Sequence, residues 1–409
     1  MRLPRQSLLA LTVVVATFVA ALAAFGALSG PDDAPASPEP SADSHVLKAQ
    51  RLLQRVRATE DPSSYTAAER ELAAARRLEP RNAAVALGYG ELAMSKHNFR
   101  EGLTWGLRAR RLAPDTVRPL GLIADAQIEL GRYRSAERTL QTLVDLKPGI
   151  SAYTRISYFR ELHGDLDGAV EAMRLAVSAA GTKPDDAADV RTLLGHLELA
   201  RGATAEGERI FRQVLATQPA HAKALDGLAD VEMAKGRVRG ALARWRKLSA
   251  AVPSPHYATD VVELTAAFGL EAESQRAIER VRVLDRRLEA AGANIDGESA
   301  VFEADYGSPA KALAMARRAH AEAPAIQRAD ALGWALTRAG RPAEAIPYAR
   351  AAMRLGTGEP MFLYHGAIAA REAGQRSLAR RWLRRLLSEN AGFSPLHEPR
   401  AKRALRDLG

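Results

Sequence analysis

Beyond residue 45 the apolar positions recur three and four residues apart, the period of a helix with one buried face. Leu120, Ile123 and Ala124 open one such pattern, and the Gly131-Arg132-Tyr133 turn interrupts it. Ala136, Leu140 and Leu143 then carry it on to Pro148. The same parts are taken by Leu194-Gly195, Gly207, Phe211, Val214 and Pro219, and again by Leu228-Ala229, Ala241, Trp245, Leu248 and Pro253. The pattern predicts two helices per unit, joined by a short turn. Proline stops the second helix because it lacks a backbone N–H and clashes with the preceding turn.

The units have a fixed length. Pro80, Pro114 and Pro148 lie 34 residues apart, and so do Pro219 and Pro253. Twelve residues before these prolines stands a small residue: Ala68, Gly102, Ala136, Gly207 or Ala241, with Ala312, Ala345 and Ala379 as later counterparts. A small side chain is expected where the two helices of one hairpin approach closely. An internal period of this size predicts a stacked array rather than the two or three separate domains that 409 residues would otherwise suggest.

The period and its signature resemble the tetratricopeptide repeat family. Residues 86–114 (ALGYGELAMSKHNFREGLTWGLRARRLAP) and 330–356 (DALGWALTRAGRPAEAIPYARAAMRLG) match that family's pattern at most positions. The resemblance implies an all-α, right-handed superhelical solenoid of about ten antiparallel helix-turn-helix units. It divides the chain into a first block over 46–253, a degenerate repeat or seam over 254–295, a second block over 296–394 and a capping helix over 395–409. The seam lacks the closing proline, and the charged pattern from Glu271 to Ala291 predicts a lengthened second helix.

The N-terminus reads differently. Arg2 and Arg5 precede an uncharged apolar run, Leu8–Leu28, of 21 residues. At about 1.5 Å per residue such a run is long enough to cross a bilayer. Small-residue sites follow at Ala21-Leu22-Ala23 and across 26–30, so residues 1–30 read as a cleaved signal peptide or a retained single-pass anchor. Residues 31–45 form a Pro-rich acidic linker. Either reading exports the body of the chain, secreted or held at the cell membrane.

Composition narrows the chemistry. There is no cysteine, which excludes disulfides, thiolate metal sites and a cysteine nucleophile. The 58 Lys+Arg against 48 Asp+Glu give +10 and a pI near 10. Arginine outnumbers lysine 49 to 9, the mark of a GC-rich, actinobacterial-like genome, which weakens any argument from basicity to nucleic acid. The histidines form no His-Glu-x-x-His and no i, i+4 pair, and no GxSxG elbow or phosphate-binding loop occurs. With repeats filling the chain after residue 45, no enzyme, catalytic residue, metal ligand or cofactor is expected.

That leaves binding of a protein or peptide partner, with the oligomeric state open. In the resembled family the first helix of each unit lines the concave face. Carried over, those positions are Glu91, Arg118, Asp125, Glu129, Tyr158, His196, Asp226, Asp230, Asp330 and Trp334. Their acids beside aromatic rings suit an extended segment with basic and apolar residues. A second candidate is the basic C-terminal surface. Residues 371–409 hold ten Arg/Lys against four acids, with Arg380, Arg381, Arg384 and Arg385 in one helical stripe. That surface would meet anionic lipid or an acidic partner.

Overall fold

A computed structural model of the chain describes residues 41–181, 184–390 and 392–409. The signal or anchor segment and the linker up to residue 40 lie outside the described residues. Among the described residues there are 21 α-helices and no strand, and no helix is long and apolar enough to cross a membrane.

Consecutive helices pack as hairpins. They are α1 (Ala42–Thr59) with α2 (Tyr65–Leu78), α3 (Ala83–Ser95) with α4 (Phe99–Leu112), and α5 (Arg118–Glu129) with α6 (Tyr133–Leu146). Next come α7 (Ile150–Leu162) with α8 (Leu166–Ala180), α9 (Pro184–Ala200) with α10 (Thr204–Thr217), and α11 (Ala222–Ala234) with α12 (Val238–Ala251). The array continues through α13 (Pro255–Ala267) with α14 (Glu271–Ala290), α15 (Asp296–Tyr306) with α16 (Pro309–Glu322), and α17 (Ile326–Arg338) with α18 (Pro342–Ala352). It ends in α19 (Pro360–Glu372) with α20 (Arg376–Glu389) and a last helix, α21 (His397–Asp407).

The small-residue positions do what their chemistry requires. A Cβ on Gly207 would stand 2.9 Å from the Gly195 carbonyl oxygen, so α10 can approach α9 only with glycine there. The alanines at 68, 136, 241, 312, 345 and 379 are fully buried at the equivalent contacts. Helix α1 starts inside the stretch read as linker, because the Ser41 side chain caps it by accepting from the Ser44 N–H. Helix α14 is drawn out to 20 residues, yet it pairs with α13 like any other hairpin. Helix α21 covers the end of the last hairpin, with Ala401 and Ala404 buried in the same core as Leu383 and Leu386 of α20.

The array also closes on itself. The α5–α6 turn meets the start of α17, where the Tyr133 hydroxyl accepts the Ile326 N–H at 3.0 Å. Arg100 of α4 donates to the carbonyls of Ala321 and Glu322 at the end of α16, both at 2.8 Å. The Asn294 N–H donates to the Lys96 carbonyl at 2.8 Å, and Tyr257 of α13 donates to Glu60, just after α1, at 3.1 Å. A Cβ on Gly164, in the α7–α8 turn, would stand 2.5 Å from the Gly356 carbonyl before α19. Each of these contacts joins hairpins six places apart in the array, so one superhelical turn occupies six hairpins. The core follows the closure: Tyr158 and Leu162 of α7 share a cluster with Ile326, Ala329 and Phe362.

Candidate functional site

Closure converts much of the concave face into an interior. A cavity of about 450 Å³ lies inside the closed array, walled mostly by first helices from its two ends, with Tyr65 of α2 and Asp285 of α14 completing the wall. Eight carboxylates line it: Glu60, Asp260, Glu263, Asp285, Glu298, Asp305, Asp330 and Glu359. Only Arg57, Lys223 and Arg328 supply fixed positive charge there, together with the imidazoles of His97, His256, His365 and His397. Tyr65, Phe302, Tyr306 and Phe362 give it apolar walls.

The residues expected to bind, on the concave face and on the basic C-terminal surface, fall into three groups. Most are engaged in buried pairs that fasten neighbouring hairpins. Asp125 takes a bidentate pair of bonds from Arg155, from Nε at 2.9 Å and Nη2 at 2.8 Å. Glu129 faces Arg328 at 3.4 Å and accepts from the fully buried Tyr158 at 3.3 Å. Glu91 is buried 3.8 Å from the half-exposed Arg118. Trp334 donates to Asp305 at 3.0 Å, with the His365 ring stacked on it at 4.3 Å. His365 Nδ1 meets Asp330 at 2.9 Å. Of this group only Asp330 also lines the cavity. Burial raises the pKa of Glu91, Asp125 and Glu129, and the arginines beside them pull the other way.

His196, Asp226 and Asp230 form the second group and come together at one point. One ligand atom from each lies within 4.8 Å of the others, and Asp226, His256 and Asp260 form an adjoining set. No metal ligand set was expected from the sequence, because its histidines follow no local motif. The signal was in the period instead. His196 and Asp230 are 34 residues apart, as are Asp226 and Asp260, so equivalent positions on α9, α11 and α13 stack side by side. Burial works against charge on His256, but Asp260 and Asp226 outweigh it and hold the imidazole up to about 10. Asp226 is held below the usual carboxylate range: burial raises it, but His256 and His196 outweigh that effect. Burial and the Asp226 charge together push Asp230 well above that range.

The basic stripe forms the third group. Arg380 donates inward to the Leu408 carbonyl, and Arg385 pairs with Glu389 at 2.9 Å. Arg381 and Arg384 remain exposed. The stripe therefore presents Arg381, Arg384 and the partly exposed Arg385 to solvent, while Arg380 turns inward.

His256, Glu263, Asp285, Glu359 and His397 of the cavity were not among the expected binding residues. His256 and Glu263 come from the first helix α13, Asp285 from the second helix α14, Glu359 from the turn before α19 and His397 from the terminal helix α21. The unit pattern treats these positions as ordinary; the closed array brings them into one cavity with Arg57 and Glu60.

Residues 122–187 and 192–255 match the family model described as tetratricopeptide repeat, which supports the family that the 34-residue period resembles. No curated protein matches the chain. Among solved structures, a tetratricopeptide repeat protein from Parabacteroides merdae is 19% identical, with TM-score 0.43, and the match covers 61% of this chain and 98% of that one. The protein TTC0263 from Thermus thermophilus is 16% identical, with TM-score 0.41 and coverage of 47% and 98%. The Cut9-Hcn1 hetero-tetramer of the APC/C is 12% identical, with TM-score 0.41 and coverage of 90% and 87%.

Proposed function

We propose that the chain is a protein–protein interaction module that takes a short, extended, basic segment of a partner into its axial cavity. The observation that carries this reading is the acid excess of the lining: seven acidic side chains besides Glu359, which stays protonated up to about 8, against Arg57, Lys223, Arg328 and the charged His256. An arginine or lysine side chain entering there meets carboxylates that are already desolvated, where a charge-assisted hydrogen bond is roughly twice as strong as a neutral one. The aromatic walls supply apolar contact for the intervening residues.

The segment is taken as extended because an extended chain presents successive side chains to opposite walls, basic ones to the carboxylates and apolar ones to the aromatic rings. The closed array is already ordered, so little further ordering is required of the receptor.

The setting in this reading is the cell envelope, and its support is the apolar run Leu8–Leu28 behind Arg2 and Arg5. N-terminal sequencing of the mature protein decides between a cleaved signal and a retained anchor. An uncleaved N-terminus on a protein recovered from the cytosolic fraction would remove the location from the proposal.

The binding test is direct. A fluorescein-labelled decapeptide of alternating lysine and leucine should bind the chain, and its acidic counterpart should not. Added salt should weaken binding, because it screens the attraction between basic peptide and acidic cavity at separations beyond about 8–10 Å. Asp285→Asn and Glu263→Gln should each weaken binding several-fold, while Arg381→Ala with Arg384→Ala leaves it unchanged. Equal binding of both peptides, or indifference to the two cavity substitutions, would sink the proposal.

A further inference from the structure

We infer that His196, Asp226 and Asp230 form a binding site for a divalent transition-metal ion, with zinc the best match. The three side chains project from α9 and α11, and His256 from α13 closes the site on the side of the axial cavity.

Geometry carries the assignment. His196 Nδ1 stands 3.5 Å from Asp230 Oδ2, and His256 Nε2 stands 3.4 Å from Asp226 Oδ2. The first is long for an N–H···O hydrogen bond, which clusters at about 2.7–3.2 Å, and the second is a hydrogen bond at the long end of the range. Both match the edges of a coordination shell: four bonds of about 2.1 Å arranged tetrahedrally have ligands roughly 3.4 Å apart. The donors are the right distance apart to share an ion.

A second observation points the same way. Asp230 is 3% exposed, and its Oδ1 is buried without a hydrogen-bond partner. The other oxygen of that carboxylate faces His196, so the orphaned atom belongs to a carboxylate of the cluster itself. A buried carboxylate oxygen with no donor is costly, and a cation is the partner that satisfies two carboxylates and an imidazole at once. The site is also supported from behind. Trp245 donates to Asp226 Oδ1 at 2.7 Å and fixes the plane of that carboxylate, while the edge-to-face contact with Phe211 at 4.9 Å orients the His196 ring. Such outer contacts orient ligands in metal sites.

The donor set selects the metal class. One imidazole with two carboxylates, and no sulfur, suits zinc or manganese rather than copper(I) or an iron–sulfur cluster, and divalent affinities favour zinc over manganese. Access is by way of the cavity, which His256 and Asp260 line. Three protein ligands leave the fourth tetrahedral position to His256 or to a molecule entering past it. An ion held by the three ligands would tie two successive hairpins together just behind the wall where a partner's side chain arrives.

The test uses the purified full-length chain stripped with chelator. Competition against a chromogenic zinc indicator should show one zinc ion bound per chain. Cobalt(II) substitution should give the visible absorption bands of a four-coordinate site. Asp230→Asn keeps the side chain's shape and should weaken zinc binding by more than about 100-fold, since loss of even an outer partner costs about 10–100-fold. His196→Ala should do the same. His45→Ala, which removes a surface His45–Glu71 pair, should leave binding intact. If His196→Ala fails to fold, Asp230→Asn decides the question alone. Absence of zinc binding by the wild-type chain, or wild-type affinity in Asp230→Asn, would overturn the assignment. Because the readouts are zinc and cobalt rather than peptide, failure here leaves the peptide-binding reading untouched.

Discussion

The hydroxyl of Tyr133 accepts the backbone N–H of Ile326 at 3.0 Å, joining residues 193 positions apart in the chain. Ile326 opens α17, and the first N–H groups of any helix lack partners within it. Tyr133, on the hairpin six places earlier, supplies one. A helix end that would otherwise require a local cap is thus satisfied by the closure of the superhelix.

Removing that hydroxyl should therefore be felt as a buried loss. Tyr133→Phe leaves the Ile326 N–H without its acceptor and is expected to lower stability by about 1–3 kcal/mol. Urea denaturation followed by tryptophan fluorescence measures it. A change within error would show that the N–H reaches water.

The nearby Glu129–Arg328 pair offers a sharper case. Both side chains are buried, and truncating one partner of such a pair strands the other's charge. Arg328→Ala should cost about 3–5 kcal/mol, whereas the double variant Glu129→Gln with Arg328→Met should recover most of it. Equal losses in the single and double variants would show that the charge of Glu129 is not what the arginine compensates.

Two glycines separate backbone strain from closure. Gly131 and Gly236 occupy equivalent turns with φ of +68° and +71°. A Cβ on Gly131 would lie 2.6 Å from the Pro324 carbonyl oxygen, while one on Gly236 would meet nothing within 4 Å. Gly236→Ala should cost about 1–2 kcal/mol for the left-handed conformation alone. Gly131→Ala should cost more, because the Pro324 backbone must also move. Matching melting temperatures for the two variants would argue against the closing contact.

Glu359 sets a pH dependence. Burial pushes its carboxyl up to about 8; the Met361 N–H opposes the rise, and Asp330 and Glu161 add to it. Between about 4.5 and about 8 the folded chain keeps a proton that the unfolded chain has released. Stability should therefore fall as pH rises through that window and level off above it. Glu359→Gln still offers Oε1 to the Met361 N–H, now 3.2 Å away, but cannot ionise. Its melting temperature should fall less steeply across the same window. Parallel profiles for the two proteins would assign the pH dependence to other groups.

Local chemistry was readable along the chain wherever it depends on neighbours in sequence. The 34-residue spacing of the prolines, the small residues at 102, 136 and 207, and the apolar stripe ending at Leu143 are short-range constraints on helix length, turn and close approach. The helices observed at Arg118–Glu129 and Tyr133–Leu146 follow from them. Even the stacking of His196 beside Asp230 is implicit in the period, since equivalent positions of adjacent hairpins must neighbour each other. The pairing of Asp125 with Arg155 follows the same logic. What the period leaves open is the small rotation between one hairpin and the next, which no single unit encodes. Summed over six hairpins, that rotation decides whether Tyr133 reaches Ile326, whether Glu129 meets Arg328, and whether the concave acids face open solvent or one another. The repeat is written in the sequence unit by unit, but the enclosed, acid-lined interior arises from the accumulated angle and exists only in the assembled superhelix.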